Sequence, residues 1–283
     1  MPAFNEITAP QLARLIGLPD SPVVLDVRSD DAFARDPRLI PTAIRRDARA
    51  AASWAPGFAG RHVVVACQHG ASLSQGAAAW LRQQGAEAET LEGGHEAWVA
   101  AGGLLVDTAK VPPRDEHGRT LWVTRARPKV DRIACPWLIR RFVDRDAVFL
   151  FVTPTEVPSV AERFRATPFD VEGVHWSHRG DTCTFDTMLA EFGLRSPALD
   201  QLALIVRGAD TARMDLAPEA AGLLAASVGF SRMYKDDLAQ LDAAMSLYDA
   251  FYRRLRDAAE ETHNWPAPAS RSEAKPGAKP AKV

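Results

Sequence analysis

The chain has 283 residues, 47% of them hydrophobic and 25% charged, with a formal net charge of −2. That balance is expected of a soluble globular protein and argues against a general nucleic-acid binder, whose footprint is a concentrated excess of Lys and Arg. No stretch reaches the roughly 18 apolar residues of a membrane-spanning helix, so neither nucleic acid nor membrane is expected as a partner. The length suffices for two ordinary domains, each with its own core. Cys67, Cys135 and Cys183 are too scattered for a disulfide framework. With no basic stretch followed by an apolar run at the start, the expected setting is the cytoplasm, with reduced thiols.

In chain order, "ITAPQLARLIG" predicts a helix with Thr8 as N-cap, Pro10 in its first turn and Gly17 as its stop. "SPVVLDVRS" predicts a buried strand, "DDAFARD" one or two helical turns, and "IPTAIRRD" a turn into another extended segment. The strand "HVVVAC", a helix from about Leu73 to Gln84, the strand "AEAETLEGG" and the helix "HEAWVAAG" complete a set that implies a parallel sheet covered on both faces. These elements define a first domain over residues 1–107. Residues 108–119, with a double proline and no periodicity, are expected as a linker.

A second domain is expected over residues 120–265. It opens with the strand "TLWVTRA", then "KVDRIACPWLIRRFVD" at helical spacing, with Pro136 starting or kinking that helix. The strand "DAVFLFVT" follows. From Phe185 onward the pattern turns helical, through "SPALDQLALIVRGAD" to the long "DDLAQLDAAMSLYDAFYRRLRDAAEET". The fold class is thus α/β throughout, a small α/β front ahead of an α-helix-rich back in the second domain. Residues 266–283 read as a disordered extension.

The stretch "ACQHGASLSQG" places Cys67 between a strand and the start of a helix. Orphan N–H groups and the positive dipole end of a helix stabilise a thiolate. Gln68, His69, Gly70, Ala71 and Ser72 are small enough for their N–H groups to curl around the sulfur as an anion nest. Local pattern alone leaves open whether Cys67 is a nucleophile or a core residue.

Taken in order, "EITAPQLARLI", "VVLDVRSDDAFA", "IPTAIRRD", "VVVACQHGASLSQGAAAWLRQQG" and "LEGGHEAWVAAG" resemble a rhodanese domain of the single-domain sulfurtransferase type. The resemblance implies that Cys67 is catalytic and carries persulfide sulfur, cradled by the backbone of residues 68–72, with Asp26 and Arg28 tying loops together. It implies thiosulfate and low-molecular-weight persulfides as donors, cyanide as an acceptor, and no required cofactor in this domain. The six-residue loop is the size that this family associates with sulfur rather than phosphate substrates. One departure stands out: where many members carry a basic residue at the loop's end, this chain has Ser72. A lost charge-assisted contact costs roughly 1.5–3 kcal/mol, which disfavours the dianion thiosulfate and favours a less charged persulfide.

In the second domain, "WVTRARPKVDRIACPWLIRRFVD" concentrates Arg125, Arg127 and Arg132 with further basic residues. Residues 125 and 127 would share a strand face. The stretch reads either as a solvated face with internal ion pairs or as an oxyanion-binding set. Together with "ATPFDVEG", "HRGDTCTFD", "PALDQLALIVRGAD" and "PEAAGLL", it resembles the C-terminal domain of the chromate resistance regulator family, which implies chromate or another oxyanion as ligand. In the regulators this domain follows an N-terminal DNA-binding domain; here the rhodanese-like stretch stands in that place, so repressor function is not carried over. His178, Cys183, Asp186 and Asp210 are the candidate metal ligands: iron or manganese with the carboxylates, zinc if Cys183 joins. A Cys135–Cys183 redox pair is a weaker alternative. Two whole-protein readings remain: a sulfurtransferase fused to an oxyanion-handling domain, and a non-enzymatic sensor of chromate, oxidant or reactive sulfur.

Overall fold

The computed structural model of the chain describes residues 5–261, and the extension expected over residues 266–283 lies outside them. β1 (Glu6–Ile7) leads into α1 (Ala9–Leu15). Thr8 caps this helix by accepting from the Gln11 N–H, while its own N–H donates to the Gln11 side chain at 2.9 Å, the reciprocal arrangement that satisfies two orphan donors. There follow β2 (Val23–Asp26), α2 (Asp30–Arg35), β3 (Arg38–Leu39), β4 (Ile44–Arg45), α3 (Ala51–Trp54), β5 (His62–Ala66), α4 (Ser72–Gln83), β6 (Glu87–Leu91), α5 (Gly94–Ala100) and β7 (Val106–Asp107). Five strands form one parallel sheet in the order β1-β6-β5-β2-β4, and β3 pairs antiparallel with β7. Side chains alternate along β2 and β5, and both faces are buried. Val24 and Val64 enter the core that holds Leu12 and Trp98, whereas Leu25 and Val65 pack with Ala77, Ala78 and Leu81 of α4. Strands covered on both sides read as unbroken apolar runs, as these two do.

The second unit consists of β8 (Leu121–Arg125), α6 (Asp131–Leu138), β9 (Val148–Val152), α7 (Val157–Phe164), β10 (Thr167–Pro168), α8 (Thr184–Phe192), α9 (Pro197–Asp210), α10 (Ala220–Met233) and α11 (Asp237–Asp257). Its three strands are parallel, in the order β10-β8-β9. α7 has no counterpart in the sequence reading, although Val157, Val160 and Ala161 stand at helical spacing and pack with Val123 of β8. Pro136 does not start its helix, which begins at Asp131. Having no N–H to continue the ladder, the proline is followed by a widened π-helical turn over Ile139–Val143, closed by the Asp144 N–H on the Ile139 carbonyl at 2.8 Å. Among the described residues no helix is long and apolar enough to cross a membrane.

The two units do not keep separate cores. One apolar cluster runs from Leu12, Ile16 and Trp98 through Trp137 and Phe142 to Tyr248 and Tyr252. Polar contacts reinforce the joint. The Thr42 N–H donates to the Phe142 carbonyl at 3.0 Å, Arg145 to the carbonyls of Ser21 and Pro22, and Arg256 to that of Ile16. The stretch 108–119 is tied to both sides, through the Thr108 hydroxyl on the Pro37 carbonyl and an Arg114–Asp144 ion pair. Gly17 sits in this joint: its φ is +81°, and a Cβ there would lie 2.5 Å from Phe142 Cζ. Gly17→Ala is therefore expected to destabilise the protein by about 1–3 kcal/mol, lowering the calorimetric Tm by several degrees. Phe142→Leu in the same chain should restore part of the loss; strict additivity of the two substitutions would show that the clash is not the cause.

Candidate functional site

Cys67 follows β5 directly, and its sulfur is enclosed, with the residue 4% exposed. The Ala71 N–H donates to Sγ at 3.2 Å, and the Ser74 hydroxyl lies 3.2 Å from it, one turn into α4. Burial acts to raise this thiol, but hydrogen bonds from the side chain and backbone of Ser74 and from the backbone of His69 and Ala71 outweigh it and hold the thiol below its ordinary value. The loop keeps its shape because glycines let two backbones touch. Gly70 has φ +71°, and a Cβ there would lie 2.8 Å from both the Gly93 nitrogen and the Leu91 carbonyl; a Cβ on Gly94 would meet the Cys67 carbonyl at 2.3 Å. The N–H groups of His95 and Glu96, at the start of α5, donate to the carbonyls of Cys67 and Gln68.

The side chains of Gln68 and His69 point away from the sulfur and together hold Glu96, at 2.9 and 3.1 Å. Glu96, absent from the sequence reading, is thus a clamp on the loop. Ser72 is the exposed first residue of α4, and the hydroxyl that reaches the sulfur is that of Ser74. Arg28 is fully buried, donating to Asp26 and to the carbonyls of Asp36 and Arg38. His95, also buried, meets Asp36 at 3.2 Å.

In the second unit the three arginines do not form one anion pocket. β8 ends at Arg125, and Arg127 has φ +58°, so the strand alternation that would align them does not extend that far. Arg127 instead donates to the carbonyls of Ser231 and Tyr234 and, through its N–H, to Asp237. Arg125 and Arg132 both reach Asp170 Oδ2, at 3.2 and 3.3 Å.

Of the four residues expected around a metal, the structure brings together His178 and Asp210, 3.1 Å apart. Asp186 and Cys183 lie elsewhere. Asp186 folds back at the start of α8 to accept from the Cys183 N–H and thiol, and binds Arg207 through both oxygens, at 2.9 and 2.7 Å. Burial pushes the Cys183 and Cys135 thiols well above their ordinary value, which disfavours the thiolate that zinc or a redox pair requires. The sequence reading missed Asp131 and Asp170, whose carboxylates lie 3.5 and 3.4 Å from His178 Nε2. Both stand in stretches already singled out, "KVDRIACPW" and "ATPFDVEG".

Asp131 is fully buried and accepts the N–H groups of Thr184 and Phe185 at the start of α8. Asp170 accepts from the Thr184 hydroxyl at 2.9 Å. Burial foremost raises Asp131. Burial, then the charges of Asp131 and Asp170, push Asp210 up to about 7. Contacts with Asp131 and Asp170 lift His178 to about 10. Asp170 is held low despite its burial, by His178, Thr184 and the two arginines.

Residues 8–101 match the family model of the rhodanese-like domain, and residues 122–255 that of the ChrB C-terminal domain. Protein ChrB of Cupriavidus metallidurans is 34% identical over 152 residues, which are 53% of this chain and 45% of that protein. The chain thus aligns with less than half the length of that relative. Among solved structures, a rhodanese-related protein from Thermoplasma volcanium is 25% identical, covers 36% of this chain and 98% of its own, and has a TM-score of 0.32. A thiosulfate sulfurtransferase from Pseudomonas aeruginosa is 30% identical over 38% of this chain and 20% of its own, with a TM-score of 0.31. The chain joins a rhodanese-like domain to a ChrB C-terminal domain.

Proposed function

We propose that this chain is a sulfurtransferase that carries one sulfur atom on Cys67 as a persulfide, fused to a domain that handles chromate or another oxyanion. The observation that supports the reading is the Cys67 cradle, a sulfur enclosed by N–H and hydroxyl donors and held toward its thiolate form. The Cys67 thiolate attacks the outer sulfur of the donor; the donor's S–S bond breaks, and sulfite or a thiolate leaves with the electron pair. The terminal persulfide sulfur is then taken by cyanide or another nucleophile, and the Cys67 thiolate returns. The sulfur–sulfur exchange follows the ordinary rules of thiolate attack and leaving-group stability. No Lys or Arg stands in the segment from Gln68 to Ser72, so the loop itself has only dipoles to set against a dianion, and a singly charged persulfide is the better donor.

A second reading is supported by one feature. α5, which donates to the Cys67 and Gln68 carbonyls, carries Trp98 into the apolar cluster shared with the second unit. The state of the sulfur could thereby be relayed as a signal of reactive sulfur or oxidant, with no turnover needed. Small-angle scattering of the reduced and persulfidated protein separates the two readings: a relay requires a change in the curve, and identical curves count against it.

Two further outcomes are expected. Thiocyanate formation from cyanide should be faster with glutathione persulfide than with thiosulfate, and should fall to background in Cys67→Ser; no turnover above that variant with either donor rejects the transferase. Ser74→Ala should shift the pH profile of Cys67 alkylation upward, because a group that favours the thiolate is lost. At pH 7 the alkylation rate should drop about two- to tenfold, matching a hydrogen bond worth about 0.5–1.5 kcal/mol.

A further inference from the structure

We propose that Asp131, Asp170, His178 and Asp210 bind one divalent first-row cation, manganese or ferrous iron. The four residues come from separate stretches: the start of α6, the segment after β10, the segment before α8 and the last residue of α9. The donor atoms of Asp131, Asp170 and His178 converge, and Asp210 adjoins them at His178. Suitable atoms of Asp131, Asp170 and His178 all lie within 4.8 Å of one another, and His178 Nε2 faces carboxylate oxygens of Asp210, Asp170 and Asp131 at 3.1, 3.4 and 3.5 Å. Metal bonds of about 2.1 Å place neighbouring octahedral ligands about 3 Å apart, close to this spacing.

An ion-pair cluster is a poorer account of the same atoms. The single Nε2–H of His178 can serve one oxygen well, yet three carboxylates from different elements are directed at it. A cation at their centre would satisfy all three and take the imidazole nitrogen as its fourth ligand. The surroundings match those of metal ligands held by outer hydrogen bonds. Asp131 is oriented by two N–H groups of α8, while Asp170 turns Oδ2 to Arg125 and Arg132, and its Oδ1, which accepts from the Thr184 hydroxyl, faces His178. The carboxylates themselves point to a ligand: the side chain of Asp131 is 0% exposed and that of Asp170 8%, and carboxylates so far removed from water are found paired with cations or coordinating metals. The His178 side chain is 39% exposed and that of Asp210 20%, which gives an ion a way in. One nitrogen and three oxygens, with no thiolate, select manganese or ferrous iron over softer metals.

The full chain, stripped with a chelator, should be titrated with Mn2+ while the free aqueous ion is followed by electron paramagnetic resonance. One Mn2+ per chain is expected, with nitrogen coupling from a directly bound imidazole. His178→Gln and Asp210→Asn should each weaken binding at least tenfold. Asp186→Asn, in a carboxylate held by Arg207, should leave the affinity unchanged. Melting curves with and without Mn2+ should show stabilisation of the wild type and not of the two ligand variants, each first checked for folding by circular dichroism. The proposal is overturned if the wild type takes up neither Mn2+ nor, under anaerobic conditions, Fe2+. It also fails if the nitrogen coupling is absent, or if the folded ligand variants bind as tightly as the wild type.

Discussion

Phe142 and Tyr252 press against the end of α1, and this apolar contact between the two units conditions the rest of the structure. It forces a glycine at position 17, draws the π-helical turn of the second unit against Thr42, and makes the interior of one unit part of the interior of the other. An apolar seam of this kind is held by area removed from water. The flanking hydrogen bonds from Arg145 and Arg256 to carbonyls set its register.

Two polar centres are built on this frame by opposite electrostatic means. Around Cys67 the donors are backbone N–H groups and one hydroxyl, dipoles without net charge, brought close because Gly70 and Gly94 lack side chains. Such a cradle favours an anion without presenting a counter-charge that would hold it permanently. In the second unit the balance is reversed. Carboxylates crowd one partly exposed imidazole, and burial together with mutual repulsion drives two of them toward the protonated form. The first arrangement spares a negative charge the cost of burial. The second gathers carboxylates around a single imidazole, with Arg125 and Arg132 at its edge.

Much of the first unit was legible in the chain because its signals are local. Val23–Asp26 and His62–Ala66 are short apolar runs, Thr8 stands as a cap just ahead of Pro10, and Cys67 sits where a strand gives way to a helix. The second unit was legible in its helices apart from α7, but its polar centre was not. Closeness along the chain favoured Cys183 and Asp186, yet the first turn of α8 folds Asp186 back onto its own backbone and delivers it to Arg207. Asp131 and Asp170 meet His178 only because α6 packs against α8 and β10 aligns with β8, relations of tertiary packing that no local pattern encodes. Arg127 was misplaced for a similar reason: period-two reasoning holds only while the strand continues, and β8 stops at Arg125. The clamp by Glu96 joins the loop to the next helix and is likewise invisible until the two are folded together.

The sealed joint bears on how such a chain could have been assembled. A fusion held by a tether alone lets its front module be exchanged for any other, since nothing in the partner has to match. Here a replacement module would have to offer a left-handed, side-chain-free position opposite Phe142 and present the carbonyls of residues 16, 21 and 22 to waiting guanidinium groups. Shuffling genes can bring two such pieces into one reading frame, but only later mutual adjustment can make them a single body.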